Sequence, residues 1–253
     1  MKLLSRRRPT AEETFAYDPA RDDAGAPPRS RVRAALTRVG KAVLKVLAAY
    51  YVLCVLLLVA YRFVPPPVTG VQLQRGIESL LSGHAPVQRQ HRVRLDSMSR
   101  HLPRAVVAAE DGRYWTHWGF DLKEMWSAGG TAVGGGRMRG ASTITQQLMK
   151  NLFGCACRNP LRKLYDLALT PAAEVILGKH RILELYLNEV EWGDGVFGVD
   201  AAGRKHYGAG AGRLTRSQSA GLAALLPNPR RRTPRNTGPY RREILRRMAF
   251  RGW

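Results

Sequence analysis

The chain of 253 residues carries 41 lysines and arginines against 19 acids, a formal net charge of +22 at pH 7. That length holds one sizeable domain with attachments and excludes two large catalytic domains. The charge points to a polyanionic partner, whether nucleic acid, anionic lipid headgroups or a phosphorylated substrate. The three cysteines, Cys54, Cys155 and Cys157, exclude a disulfide framework. Cys155 and Cys157 could pair or bind metal, but a lone C-x-C lacks the ligands of a structural zinc site.

Residues 1–41 are rich in Arg, Pro, Ala and Asp without a sustained apolar period, which predicts a disordered basic tail. Residues 42–64 are apolar except for Lys45 and Arg62 near the two ends. A run of roughly 20 apolar residues is the length of a bilayer-crossing helix. Tyr61 and Phe63 sit where an interfacial aromatic belt belongs. The run is too long for a usual signal peptide, and no small-residue cleavage site follows it. The arginines precede it, so the N-terminus is expected in the cytoplasm and residues 65–253 outside the membrane. That topology disfavours nucleic acid and favours anionic lipid or a lipid-linked phosphate.

Pro65, Pro66 and Pro67 end the span and predict a stiff linker. Leu73, Ile77, Leu80 and Leu81 predict a short amphipathic helix near the membrane. A helix is expected over Leu102 to Glu110, with Pro103 in its first turn. The glycine-rich stretch from Gly129 to Gly140 reads as a mobile loop. Ala141 to Phe153 resumes a helical pattern that Ser142 or Thr143 can cap. A longer pattern runs from Leu161 to Leu187, where Pro171 predicts a kink. A glycine-punctuated turn near Gly193 then leads into a helix. Another helix opens with a cap at Thr215, and a basic helix spans Tyr240 to Arg251. Strand signals are few, so the fold class is mostly α.

The stretch from Ala105 to Asp121 sets an apolar run beside Glu110 and Asp111. Burial there raises a carboxylate's proton affinity and makes a useful proton acceptor. Gln147 and Lys150, three apart, share a helix face. Lys150 can hold an anion, and Arg158, Arg162 and Lys163 extend the positive charge enough to neutralise a pyrophosphate. Glu110 and Asp166 could then serve opposite ends of one reaction. His117 reads as a structural hydrogen-bonder, and Asp111 and Asp121 as organisers around Glu110.

These segments together resemble the peptidoglycan glycosyltransferases of family 51, above all the membrane-anchored monofunctional ones. The family pattern E-D-x-x-[FY]-x-x-H-x-G-x-D is met from Glu110 to Asp121, and G-[GA]-S-T-I-[ST]-Q-Q-x-x-K-N from Gly140 to Asn151. R-K-x-x-E is met by Arg162 to Asp166, and R-I-L-E-x-Y-L-N by Arg181 to Asn188. Gly193 to Gly198 and Leu222 to Pro229 match two further motifs, so the likeness runs in order over roughly residues 70 to 250.

The resemblance implies a lysozyme-like fold of two lobes, a cleft between them and a membrane-dipping jaw. It implies lipid II as substrate, polymerised with inversion into β-1,4 glycan strands as undecaprenyl pyrophosphate departs. It makes Glu110 the general base. Lys150, Arg158, Arg162 and Lys163 would meet the pyrophosphate, while Asp111, Thr143, Gln147 and Asn151 would line the substrate side. A divalent cation, Mg²⁺ or Mn²⁺, and other cell-wall synthesis and division proteins are further expectations of the resemblance. A fused transpeptidase is not expected.

One departure matters. Asp166 stands where the family has Glu, which retracts the carboxylate by about 1.5 Å. A misplacement of about 1 Å can cost roughly a hundredfold in rate. A catalytically impaired scaffold of the same fold is therefore the alternative, with a lysozyme-like lytic enzyme behind it.

Overall fold

The structure, a computed structural model, describes residues 29–83, 89–126, 142–154 and 160–253. The chain divides into two compact units, Met1–Tyr50 and Tyr51–Trp253. The first described element is helix α1, Arg29–Tyr61. It starts well before the expected span. From Arg29 to Lys41 the chain is helical, not the disordered tail expected there, because Arg, Ala, Leu and Lys are all strong helix formers. Its Arg33–Tyr61 portion is long and apolar enough to cross a membrane. Val43, Leu44, Val46 and Leu47 are exposed along it.

Within the second unit, Cys54, Leu58 and Tyr61 turn one face of the end of α1 inward and are buried. Tyr61 stacks on Phe153 with ring centroids 6.2 Å apart. Arg181 Nε donates to the Tyr61 carbonyl at 2.9 Å, and Arg62 donates to the Ile176 carbonyl. The exit of α1 is thus fastened to the body by one bond accepted at its terminal Tyr61 carbonyl and one donated by the Arg62 side chain just beyond it.

Helix α2, Gly70–Leu81, opens with a capping box at Thr69. Its exposed residues, Leu73, Ile77, Leu80 and Leu81, are all apolar. Helix α3, His101–Glu110, buries Leu102, Ala105, Val106, Val107 and Ala108. Helix α4, Ile144–Phe153, has a capping box at Thr143. Helix α5 spans Pro160–Glu189. It breaks at Gly178, with φ 72° and ψ 162°, rather than at Pro171, which keeps helical backbone. Only glycine takes that φ/ψ without strain, so the break falls where the residue permits it.

A short hairpin follows, with β2, Glu191–Gly193, antiparallel to β3, Val196–Phe197. Strand β1, Arg89–Gln90, pairs parallel with β3 on its other side. Gly195 and Gly198 have positive φ, as the glycine-punctuated turn requires. Helices α6, Val199–Tyr207, α7, Arg216–Ala223, and α8, Gly238–Phe250, complete the chain. Thr215 caps α7 as expected.

The helices of this unit form two groups. α4 lies along α5 with α2 packed on it, while α3, α7 and α8 pack on one another. The architecture is mostly α with two lobes, and a cleft opens between the groups. Cys155, Cys157, Arg158 and the stretch from Gly129 to Gly140 lie outside the described residues.

Candidate active site

A cleft of about 820 Å³ is walled by residues from both helix groups. From α3 and the turn after it come Glu110 and Asp111. From α4 and its cap come Thr143, Gln147 and Lys150, from α5 Arg162, Lys163 and Asp166, and from α8 Tyr240 and Arg247. Eight of the ten residues singled out from the sequence meet here, from three segments between Glu110 and Asp166.

Glu110 is the last residue of α3 and half-buried. Its Oε2 accepts from Gln147 Nε2 at 2.9 Å. Gln147 Oε1 in turn accepts from the Tyr186 hydroxyl at 2.8 Å, which fixes which way the amide points. Burial pushes the Glu110 carboxyl above its ordinary value. The Gln147 hydrogen bond and the charges of Lys150 and Arg232 pull it back, and Asp111 pushes it up again. The result is a carboxylate with raised proton affinity that opens on the cleft.

Asp111 is buried and fully engaged. Its Oδ1 meets His117 Nε2 at 2.8 Å, and its Oδ2 accepts from the Ile144 backbone N–H at 3.1 Å. It joins the end of α3 to the start of α4, where a carboxylate suits the helix N-terminus. Thr143 is buried too. Its hydroxyl donates to the Gly119 carbonyl at 2.7 Å and caps α4. Asn151 does not line the cleft. It is buried, and its Nδ2 donates to the Gln147 carbonyl one turn back at 2.8 Å. Helical spacing put it near Gln147 but could not show that its amide folds onto the helix.

The cationic side is differently made. Lys150 and Lys163 have no hydrogen bond or ion pair among the described residues. Arg162 Nη1 pairs with Asp166 Oδ2 at 2.9 Å, while its buried Nε has no partner among the described residues. Unspent donors facing a cleft suit a multivalent anion. Burial, helped by Arg162, lowers the Lys150 ammonium, against the pull of Asp166 and Glu110. Burial lifts Asp166 to about 6, against the pull of Arg162 and Lys150.

The donor set does not fit a resident divalent cation. Asp111, His117 and Asp121 bring ligand atoms within 4.8 Å of one another. Asp121, however, accepts from Arg113 Nε at 2.9 Å and from the Glu124 N–H at 2.8 Å, and Asp111 is spent as described. Arg113 holds the Asp121 carboxyl below its ordinary value. Elsewhere in the cleft, Asp166 already faces the Arg162 guanidinium and Glu110 accepts from Gln147.

The transglycosylase family model matches residues 78–249. The chain belongs to the transglycosylase family. It is 49% identical over 177 residues to the biosynthetic peptidoglycan transglycosylase of Pseudomonas fluorescens Pf0-1, covering 70% of this chain and 73% of that protein. It is 44% identical over 216 residues to the protein so named from Ectopseudomonas mendocina, covering 85% and 88%. The one from Rhodospirillum centenum is 44% identical over 209 residues, covering 81% and 88%.

Against this family background, Tyr240, Arg247 and Arg251 of the cleft escaped the sequence reading. Tyr186, which the R-I-L-E-x-Y-L-N motif contains, is buried behind Gln147, a placement the motif did not reveal. The α8 residues read as a basic surface helix, because nothing local marks which of its arginines turn inward. His117 makes a hydrogen bond to Asp111, in line with the structural part expected of it, and Glu184 and Asn188 hold backbone groups. Glu184 Oε2 accepts from the Leu95 N–H at 2.8 Å, and Asn188 Oδ1 from the Val93 N–H at 2.9 Å.

Proposed function

We propose that this transglycosylase polymerises lipid II into β-1,4-linked glycan strands for cell-wall synthesis, with inversion at the anomeric carbon and release of undecaprenyl pyrophosphate. One observation carries the reading. A carboxylate of raised proton affinity, Glu110, shares a cleft with unspent cationic donors on Lys150, Arg162 and Lys163.

In this reading the Glu110 carboxylate takes the proton from the 4-hydroxyl of the acceptor sugar. That oxygen attacks the donor's anomeric carbon as the bond from the carbon to the pyrophosphate oxygen breaks. A base is needed because a sugar hydroxyl is a weak nucleophile at neutral pH. The leaving group carries its own negative charge, so it needs cations rather than a proton donor. Lys150, Arg162 and Lys163 supply them. Gln147, held by Tyr186, keeps the carboxylate aimed.

The apolar α1 and the exposed apolar face of α2 support a membrane-anchored enzyme that works at the lipid surface. The cations Arg33, Arg38 and Lys41 before the span support a cytoplasmic N-terminus and a periplasmic cleft.

The test is product analysis with purified full-length protein and labelled lipid II. Long strands on a gel are expected. Release of muropeptides from finished wall, without polymer, would favour the lytic reading. No product from the wild type, but product from Asp166→Glu, would favour the scaffold.

A further inference from the structure

An α-helix leaves its last four carbonyls without intrahelical partners. In α3 these belong to Val107, Ala108, Ala109 and Glu110, the turn that ends in the base. The Val107 carbonyl accepts from the Asp111 N–H at 3.0 Å. The next two are met from a distant helix. Arg247 Nη1 donates to the Ala108 carbonyl at 3.3 Å, and the Tyr240 hydroxyl to the Ala109 carbonyl at 3.2 Å. Arg251 Nη2 donates to the Gly112 carbonyl at 3.1 Å, two residues beyond Glu110. Tyr240, Arg247 and Arg251 lie at i, i+7 and i+11, one face of α8 and its end.

The donors are themselves held. Arg247 Nε donates to Glu243 Oε1 at 3.0 Å. The Arg232 guanidinium lies 5.4 Å from the Tyr240 ring centroid, and its Nη1 is fixed on the Ala224 carbonyl at 2.9 Å. Gly112 allows the close approach, since a Cβ there would fall 2.6 Å from Arg251 Nη2. The carbonyls before and after Glu110 are therefore gripped on a rigid support.

We propose that Tyr240, Arg247 and Arg251 are positioning residues for Glu110, clamping the carbonyls on either side of it so that its carboxylate meets the acceptor hydroxyl in register. The inference rests on Glu110 acting as the base. The clamp has an electrostatic side as well. The C-terminal end of a helix carries partial negative charge, which favours protonation of a carboxylate there. Arginines on those carbonyls offset it. Glu110 also faces Lys150 from α4, Asp111 beside it and Arg232 from the segment before α8. Loss of one arginine therefore shifts its titration without abolishing it.

The test uses the full chain and labelled lipid II, with kcat, KM and the pH profile measured for Tyr240→Phe, Arg247→Gln and Arg247→Lys. Tyr240→Phe removes one hydroxyl from a retained ring, so the fold is preserved. Both Tyr240→Phe and Arg247→Gln are expected to lower kcat by about tenfold with KM changed less than about twofold, since misplacement of a base costs rate rather than binding. Arg247→Gln is expected to move the acid limb of the profile to higher pH, Tyr240→Phe to leave it in place, and Arg247→Lys to restore both rate and limb in part.

Unchanged kcat in both neutral variants, with or without a lower melting temperature, would overturn the proposal. So would a raised KM at unchanged kcat, which would mean that these residues touch substrate instead. An inactive wild type would refute the glycosyltransferase reading and with it the clamp. An active wild type with indifferent variants would refute the clamp alone.

Discussion

Gln147 Nε2 lies 2.9 Å from Glu110 Oε2, and the same amide accepts from Tyr186 on its other side. A hydrogen bond donated to a carboxylate stabilises its charged form and lowers its pKa. It opposes the burial that lifts Glu110. Gln147→Ala should thus let the carboxyl rise further, and the base would be protonated at a higher pH. The acid limb of kcat/KM is expected to shift upward, measured with labelled lipid II. Tyr186→Phe should lower kcat by less, since the amide loses its orientation but not its presence.

Lys150 has no ion-pair partner among the described residues, and burial lowers its ammonium's pKa. Its removal strands no carboxylate. Lys150→Ala is expected to leave the melting temperature unchanged or slightly higher while lowering kcat by roughly 10²–10³, the scale for losing a transition-state charge donor. Arg162→Ala differs, because it leaves Asp166 unpaired. It should lose both rate and stability. Thermal melts beside turnover assays separate the two.

Asp166 sits at about 6, raised chiefly by burial. Its ionised form orients Arg162, so one component of the activity should rise through about pH 6 and be missing in Asp166→Asn. Stability runs the other way. A carboxyl whose folded-state pKa is raised binds its proton more tightly folded than unfolded. Its contribution to stability is therefore full below the unfolded value and is lost as pH rises through the folded value of about 6. Asp166→Asn is expected to melt above the wild type at pH 8, with the gap closing as pH falls through 6.

Much of this cleft was legible because its charges interrupt apolar helical patterns. Glu110 follows Val106 and Val107, and Lys150 shares a turn with Gln147. The motif spacing then tied Glu110 to Lys150 and Asp166. What stayed hidden depends on contacts remote in sequence. The grip of Tyr240 on Ala109 joins residues 131 positions apart. The helix from Arg29 to Lys41 was hidden for another reason: charge density suggested disorder where helix propensity prevails. Asn151 matched a motif, yet its amide turns back onto its own helix.

The break in α5 gives a stability prediction. Pro171 keeps helical geometry but supplies no N–H, a loss that costs up to about 3 kcal/mol in a helix interior. Pro171→Ala is expected to raise the melting temperature by a few degrees. Gly178 has open space around it and φ 72°, so Gly178→Ala strains the backbone alone. A cost of about 1–3 kcal/mol should lower the melting temperature by several degrees, read by circular dichroism.

The most direct measurement is polymerisation of labelled lipid II by Glu110→Gln against the wild type, both in detergent, with matched melting temperatures. Glutamine keeps the shape and can still pair with Gln147, but it cannot accept the acceptor's proton. The expected result is polymer from the wild type and a rate lower by roughly 10²–10⁴ in the variant, the range for a lost general base. A Glu110→Gln protein that polymerises within a few-fold of the wild-type rate would contradict the assignment of Glu110 as the base.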